Sequence, residues 1–367
     1  MESSQFHSNN NIYTSSLSRS SYSSLISIEN IFQAWEEFKK GKCKKLDVQV
    51  FERNLEDNLF LLHARLINKT YKHGKYMEFY VSDPKRRHTH KAEVADRIVH
   101  HLLYKYLYGV FDKTFIYDSY SCRLDKGTHR AVRRLERFTR GVSKNYTQDC
   151  WVLKLDIKKF FASVDHEILK ELIKTKVKDR DIFWIIGEII DSFYTGHSRL
   201  DREADPRVCE DDKEENTNKG IPLGNLTSQI FANIYLNELD QFIKHRLTIK
   251  YYLRYADDFL LLNQSKTALL HCFKTVKQYL GNNLDLEIHP NKTCFCKLSW
   301  GIDFCGYIVL PHYILPRTKT KRRIIKKVIK GNISNHSLQS YLGYFSHADS
   351  CRLQKDLISI YFFTSLL

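Results

Sequence analysis

Residues 251–262 read YYLRYADDFLLL, two short apolar runs rich in Tyr and Leu that meet at adjacent carboxylates, Asp257 and Asp258. Successive side chains on a strand point to opposite faces, so neighbouring aspartates serve one site only where the backbone turns sharply at the pair. As plain structure, a hairpin tipped by two carboxylates is unfavourable, because like charges repel and strand interiors disfavour Asp. Cations would relieve that repulsion, yet ordinary turn chemistry also places Asp at hairpin tips. These residues alone leave a solvated turn and a metal site both open. A third ligand has to come from elsewhere in the chain.

Working outward, residues 151–165, WVLKLDIKKFFASVD, supply one. Val152, Leu153 and Leu155 predict a buried strand that ends in Asp156, and a carboxylate at such a strand end is expensive to bury unpaired. Phe160 and Phe161 follow, then a helix with Ser163 or Asp165 as its cap. Three carboxylates from separate strand ends suit a two-cation phosphoryl-transfer site. Oxygen ligands select hard cations such as Mg²⁺, with Mn²⁺ as an alternative. Two ions about 3.5–4 Å apart clamp the attacking and leaving oxygens of an in-line displacement. The candidate metal ligands are Asp156, Ile157, Asp257 and Asp258. Lys292, in the turn of EIHPNKT, is placed to protonate a leaving group. Lys85, Arg86 and Arg87 at a predicted hairpin tip, with Arg97 opening the next helix, suit a triphosphate, which Arg grips bidentately. Exposed hairpin tips are also commonly basic without such a role.

The remaining chain fits a large basic protein. At 367 residues, with 43% hydrophobic and 13% aromatic residues, it is too long for one small core and predicts two or three packed subdomains. Lys and Arg number 58 against 42 Asp and Glu, a net charge of +16, so polyanions, nucleic acid first, are the expected partners. Apolar runs fall far short of a membrane span and no signal-peptide core follows Met1, which points to the cytoplasm. The nine cysteines form no CxxC pair and read as reduced thiols. Period-two spacing in apolar strands predicts that Cys294, Cys296 and Cys305 are buried. His88/His90 and His100/His101 lack the i,i+4 spacing of a helical zinc site and read as structural.

Composition divides the chain in order. Residues 1–27 are Ser-rich and predict a disordered tail. Helices follow from Ile28, with Ile31, Trp35 and Phe38 on one face and Gly41 as a stop. Arg123 and Lys126 lie in a basic loop before a helix bearing Arg130, Arg133, Arg134 and Arg137. Residues 201–219 hold eight acidic residues against four basic ones and predict a surface loop. GIPLGNLTSQ then leads through Asn225, Thr227, Ser228 and Gln229 into a helix over 225–245, where small and amide residues permit close approach of a nucleotide. A helix ending at Gly281 comes next, then strands and a hairpin around FCGY. Residues 317–330 carry eight basic residues and no acid, beside Tyr341, Tyr344 and Phe345, as a groove tracking a nucleic-acid backbone would require.

In this order, LDIKKFF, GIPLGNLTSQ, YADDF, HPNKT and FCGY resemble the successive motifs of reverse transcriptases of the bacterial retroelement type, from about Ile28 to about Asp356. The resemblance implies an α+β right-hand polymerase, with N-terminal helices and fingers at 28–150, a palm with an antiparallel sheet at 151–315, and a small helical thumb at 316–367. It implies RNA-directed DNA synthesis from dNTPs on an RNA template with a DNA or RNA primer. Asp156, Asp257 and Asp258 would bind the metals, and Phe161 would exclude a ribose 2′-hydroxyl. Lys85, Arg87, Arg97, Leu223, Gly224 and Gln229 would contact the nucleotide. Arg123, Lys126, Asn225, Ser228, Phe304, Gly306, Tyr307, Arg322 and Arg323 would contact template or primer.

Where many members carry QGxxxSP, this chain has Leu223-Gly224-Asn-Leu-Thr-Ser228-Gln229. With FIYDSYSCRLDKGTHRA and SYLGYFSHADS, that form resembles the polymerases of diversity-generating retroelements. It implies error-prone copying of a template repeat and a small basic accessory protein as partner. Stand-alone antiphage reverse transcriptases share the catalytic motifs, and a non-catalytic RNA-binding protein would account for the charge but not for three carboxylates in this order.

Overall fold

The computed structural model describes residues 21–82, 86–193, 218–331 and 333–365. The chain forms two compact units built from interleaved stretches. The first comprises Met1–Ile116, Ile157–Phe242 and Tyr279–Glu287; the second comprises Tyr117–Asp156, Ile243–Gln278 and Ile288–Leu367. Helices and antiparallel sheets occur together, as expected of the α+β class. Among the described residues no helix is long and apolar enough to cross a membrane.

In the first unit, the helix Ile28–Lys39 starts at Ser27, whose side chain accepts from the Asn30 amide, and buries Ile31, Trp35 and Phe38 as its spacing predicts. It packs on Val94–Phe111, a largely buried helix that also packs on Leu226–Gln241. Lys105 and Glu37 form an ion pair of 2.8 Å that is almost shielded from water. The expected unstructured start extends too far. Tyr22–Leu25 is helical, Tyr22 and Leu25 are buried, and the Tyr22 hydroxyl donates to Leu66 O at 2.8 Å. The helical run after Val50 is two helices, Leu46–Arg53 and Leu55–Ile67, parted at Asn54 where φ is −123°. Strands β1 (Met77–Val81) and β2 (Arg87–Lys91) form a two-stranded antiparallel sheet. Lys85 and the acidic stretch through residue 217 lie outside the described residues.

The second unit holds two sheets. β3 (Trp151–Asp156), β4 (Tyr252–Tyr255), β5 (Asp258–Asn263) and β6 (Cys294–Lys297) form one in the order β4-β5-β3-β6, all antiparallel. β7 (Ile302–Phe304), β8 (Tyr307–Leu310) and β9 (Tyr313–Pro316) form the other. β5 buries four consecutive residues, Phe259 to Leu262, so both faces of the first sheet are covered there; that is why its sequence is a continuous apolar run instead of an alternating one. Helix Thr128–Val142 supplies Ala131, Val132, Leu135 and Phe138 to the same core, together with Phe304, Tyr307 and Val309. Thr318–Ile329, Asn335–Phe345 and Cys351–Ser365 close a smaller core through Ile324, Val328, Phe345 and Leu357.

Two local expectations are corrected. Helix Lys266–Leu284 runs through Gly281; an interior glycine costs about 1 kcal/mol relative to Ala, which neighbouring helical residues can offset. Cys294 is exposed and Cys296 half-buried, because β6 pairs along one side only and lies at the sheet edge; Cys305 is half-buried on the turn between β7 and β8.

Candidate active site

β4 and β5 are joined by a loop of two residues, Ala256 and Asp257. Ala256 adopts φ +54°, and a positive φ at the first loop position gives a tight turn the twist a hairpin needs. The turn is held from beneath by Arg254, which is fully buried. Its Nη1 donates to Ala256 O at 3.0 Å. The Arg254 backbone is itself tied down, donating to Asp118 O and accepting from the Tyr120 amide, both at 2.9 Å. Asp257 therefore sits on the turn while Asp258 is the first residue of β5. The sharp bend required of the pair is present.

In the sheet register Asp258 lies directly opposite Asp156. The two carboxyls share a hydrogen bond, and the Asp258 carboxyl is pushed up to about 6. Burial is the main cause; Asp257 and Asp156 add to it, and Lys154 opposes it. The Lys292 ammonium lies 2.6 Å from Asp156 Oδ1, on the turn Pro290–Lys292, and that hydrogen bond is the first cause holding its pKa above the ordinary lysine value. The His289 amide donates to Asp156 O at 2.8 Å, which fixes this turn to the end of β3. The chemistry of this donor set suits a divalent cation. Its side-chain donors are oxygens, and positive charge beside a buried carboxyl facing two others would offset the repulsion. Asp156, Asp257 and Asp258 are the residues that would hold it.

Other candidates in the second unit divide by burial. Phe304 and Tyr307 are core residues, and the Tyr307 hydroxyl donates to Tyr344 O at 2.9 Å. What this hairpin presents is its turn, Cys305-Gly306, with φ +47° and +90°. Arg123 donates to Ser119 O at 3.2 Å, and Lys126 donates to Tyr117 O at 2.9 Å while lying 3.4 Å from that ring's centroid. Both stiffen their own loop. Arg322 and Arg323 are exposed beside the buried Ile324, so the basic helix shows its charge to solvent.

In the first unit, Arg87 is exposed and Phe161 is half-exposed in the short helix Phe160–Ser163. Ile157 is buried. Leu223 is half-exposed and its carbonyl accepts from the His90 amide at 2.9 Å; Gly224 and Gln229 are exposed. Gly224 has φ +116°, and a Cβ there would come within 2.7 Å of Thr89 Cγ2, so only glycine fits. Three expectations need correction. Arg97 forms an ion pair with Asp47 and lies over the Phe38 ring, so it is committed to helix packing. Asn225 is buried and donates to His90 O at 3.1 Å. Ser228 is buried as well. A helix start that buries its polar residues has the same letters as one that exposes them. Arg254 and Lys154 carry no sequence signal for the converse reason: each is a single basic residue inside an apolar strand, without a motif to mark it.

The profile of the family described as reverse transcriptase (RNA-dependent DNA polymerase) matches residues 47–309. Among individual relatives, a putative COX1/OXI3 intron 2 protein of Saccharomyces cerevisiae is 22% identical over 288 residues, covering 63% of this chain and 31% of that protein. The group II intron-encoded protein LtrA of Lactococcus lactis is 23% identical over 275 residues, covering 58% of this chain and 42% of its own length. The retron Ec73 reverse transcriptase of Escherichia coli is 23% identical over 213 residues, covering 54% of this chain and 62% of that one. The chain thus spans under two thirds of the length of each of these three relatives.

Proposed function

Because the chain belongs to the reverse transcriptase (RNA-dependent DNA polymerase) family, we propose that it extends a primer 3′-hydroxyl with dNTPs by copying RNA, with the chemistry at Asp156, Asp257 and Asp258. The observation that carries this reading is the pairing of Asp156 with Asp258 across two hydrogen-bonded strands, with Lys292 at 2.6 Å. Divalent cations, Mg²⁺ first, would lower the pKa of the attacking hydroxyl and neutralise charge on the departing oxygens. The protein's part is placement. The sheet holds Asp156 and Asp258 side by side, the Arg254-braced turn presents Asp257, and Lys292 carries a proton on Nζ for the pyrophosphate leaving group. The roles given to Arg87, Phe161, Leu223, Gly224, Gln229, Arg322 and Arg323, and the division into fingers, palm and thumb, rest on the family resemblance. Replacing Asp257 with Asn tests the site: dNTP incorporation on an RNA template should vanish while RNA binding persists. Retained synthesis would refute the assignment.

The finer reading is error-prone copying of a template repeat with a small basic accessory protein, as in diversity-generating retroelements. Leu223 in place of the commoner Gln supports it, since a leucine removes an amide from a backbone position that β2 holds in place. Under this reading Leu223→Gln lowers misincorporation opposite template adenine. Equal error rates in the two proteins would remove the argument and leave a stand-alone antiphage role the better account.

A further inference from the structure

The β1–β2 hairpin carries a second set of ligand-type side chains, of different chemistry from the aspartates. Glu78 and His90 are direct cross-strand partners, as are Tyr80 and His88. Residues two apart on a strand share a face, so Glu78, His88 and His90 project from the same side of the ribbon. Each offers a ligand atom within 4.8 Å of the others. His88 Nε2 is 3.4 Å from Glu78 Oε2, and the two imidazole rings are 4.4 Å apart between centroids. The two-residue spacing of His88 and His90 along β2, with Glu78 opposite His90, brings together what helical spacing does not.

We propose that Glu78, His88 and His90 bind one borderline divalent transition metal, Zn²⁺ by preference. Two imidazole nitrogens and one carboxylate oxygen are a three-ligand zinc set, leaving a fourth position for water. The surroundings suit it. Tyr80 stacks on His88 at 4.8 Å and Phe193 lies edge-on to His90 at 4.6 Å, while His88 and Glu78 keep 18% and 19% of their side chains exposed, enough for a water ligand. Mg²⁺, which favours oxygen ligands and sheds water reluctantly, is a poor competitor here. The metal would act as a clip. Among the described residues the sheet has two strands, a marginal structure by itself, and this site joins both. The His90 main chain also receives the Asn225 side chain and donates to Leu223, so the clip would steady the segment carrying Leu223 and Gly224.

The test uses the full chain without an affinity tag, in excess Mg²⁺ to saturate all-oxygen sites, titrated with Co²⁺ as a visible probe. One equivalent should give the absorption bands of four-coordinate Co²⁺, and Zn²⁺ should bleach them. His88→Gln and Glu78→Gln should each weaken binding at least about tenfold, with circular dichroism unchanged, while Asp257→Asn leaves it intact. Zn²⁺ should also raise the melting temperature of the parent and of neither hairpin variant. Absent bands, a hairpin variant that binds Co²⁺ as tightly as the parent, or bands lost in Asp257→Asn would each overturn the proposal. None of these readouts requires polymerase activity, so the site can fail without the polymerase reading failing, and the reverse.

Discussion

Arg254→Met is the most informative single change to the candidate active site. The guanidinium is fully buried and donates to Ala256 O at 3.0 Å, directly under the turn that presents Asp257. Methionine keeps most of the aliphatic volume and removes the donors. A hydrogen bond from a charged group contributes about 1.5–3 kcal/mol. For a protein unit of this size each kcal/mol shifts the melting temperature by about 2–4 °C, so the variant should melt about 5–10 °C lower. The turn should also loosen, and a displacement of about 1 Å at reacting groups can cost about 100-fold in rate. Scanning calorimetry and single-turnover primer extension measure the two effects. The expected pattern is a lower rate of incorporation with an unchanged KM for dNTP, and Arg254→Lys falling between parent and Met. If Arg254→Met melts within a degree of the parent and extends primers at the parent's rate, the turn is not braced by Arg254.

Two further outcomes concern residues of the first unit. Gly224→Ala forces a side chain into φ +116° and against Thr89, costing about 1–3 kcal/mol of backbone strain; a denaturant midpoint equal to the parent's would contradict the close approach. Burial first, then nearby Lys42, Lys105 and Arg97, push the His101 imidazole down to about 3, so it folds neutral. The unfolded chain binds its proton at about pH 6.5, so this contribution is complete above that value and is lost as pH falls toward 3. Going from about pH 7.5 to 5.5 should cost about 1.4 kcal/mol through this residue. Urea titrations of His101→Leu should show a drop smaller by that amount, and an identical drop would mean His101 does not titrate as placed.

The legible parts of the chain were those with a period or a run. Ile31, Trp35 and Phe38 announce their helix by spacing, and Leu153, Leu155 and Phe259–Leu262 announce covered strands by continuity. The carboxylates were legible because an acid at the end of an apolar strand needs a reason. What stayed hidden depends on register and burial between distant residues. RHTHK has no strand signature, since its hairpin is half in solvent, and its relation to Glu78 exists only once β1 and β2 pair. Asn225 and Ser228 look like surface amide and hydroxyl until the helix packs and covers them. Arg254 is one basic letter among apolar ones, and only the fold shows that it faces inward.

The opposition of Asp156 and Asp258 also limits how this region can change length. Because side chains alternate along a strand, losing one residue from the loop or the start of β5 would slide the pairing by one step and set Phe259 where Asp258 now faces Asp156. Adding one would carry Asp258 away from its partner in the same manner. Substitutions here can be graded in effect, but single-residue insertions and deletions cannot: each moves every side chain of β5 to the opposite covered face and takes Asp258 away from Asp156. The segment from Tyr252 to Asn263 should therefore tolerate variation in letters and almost none in count, and a deletion scan would show that boundary as an abrupt edge.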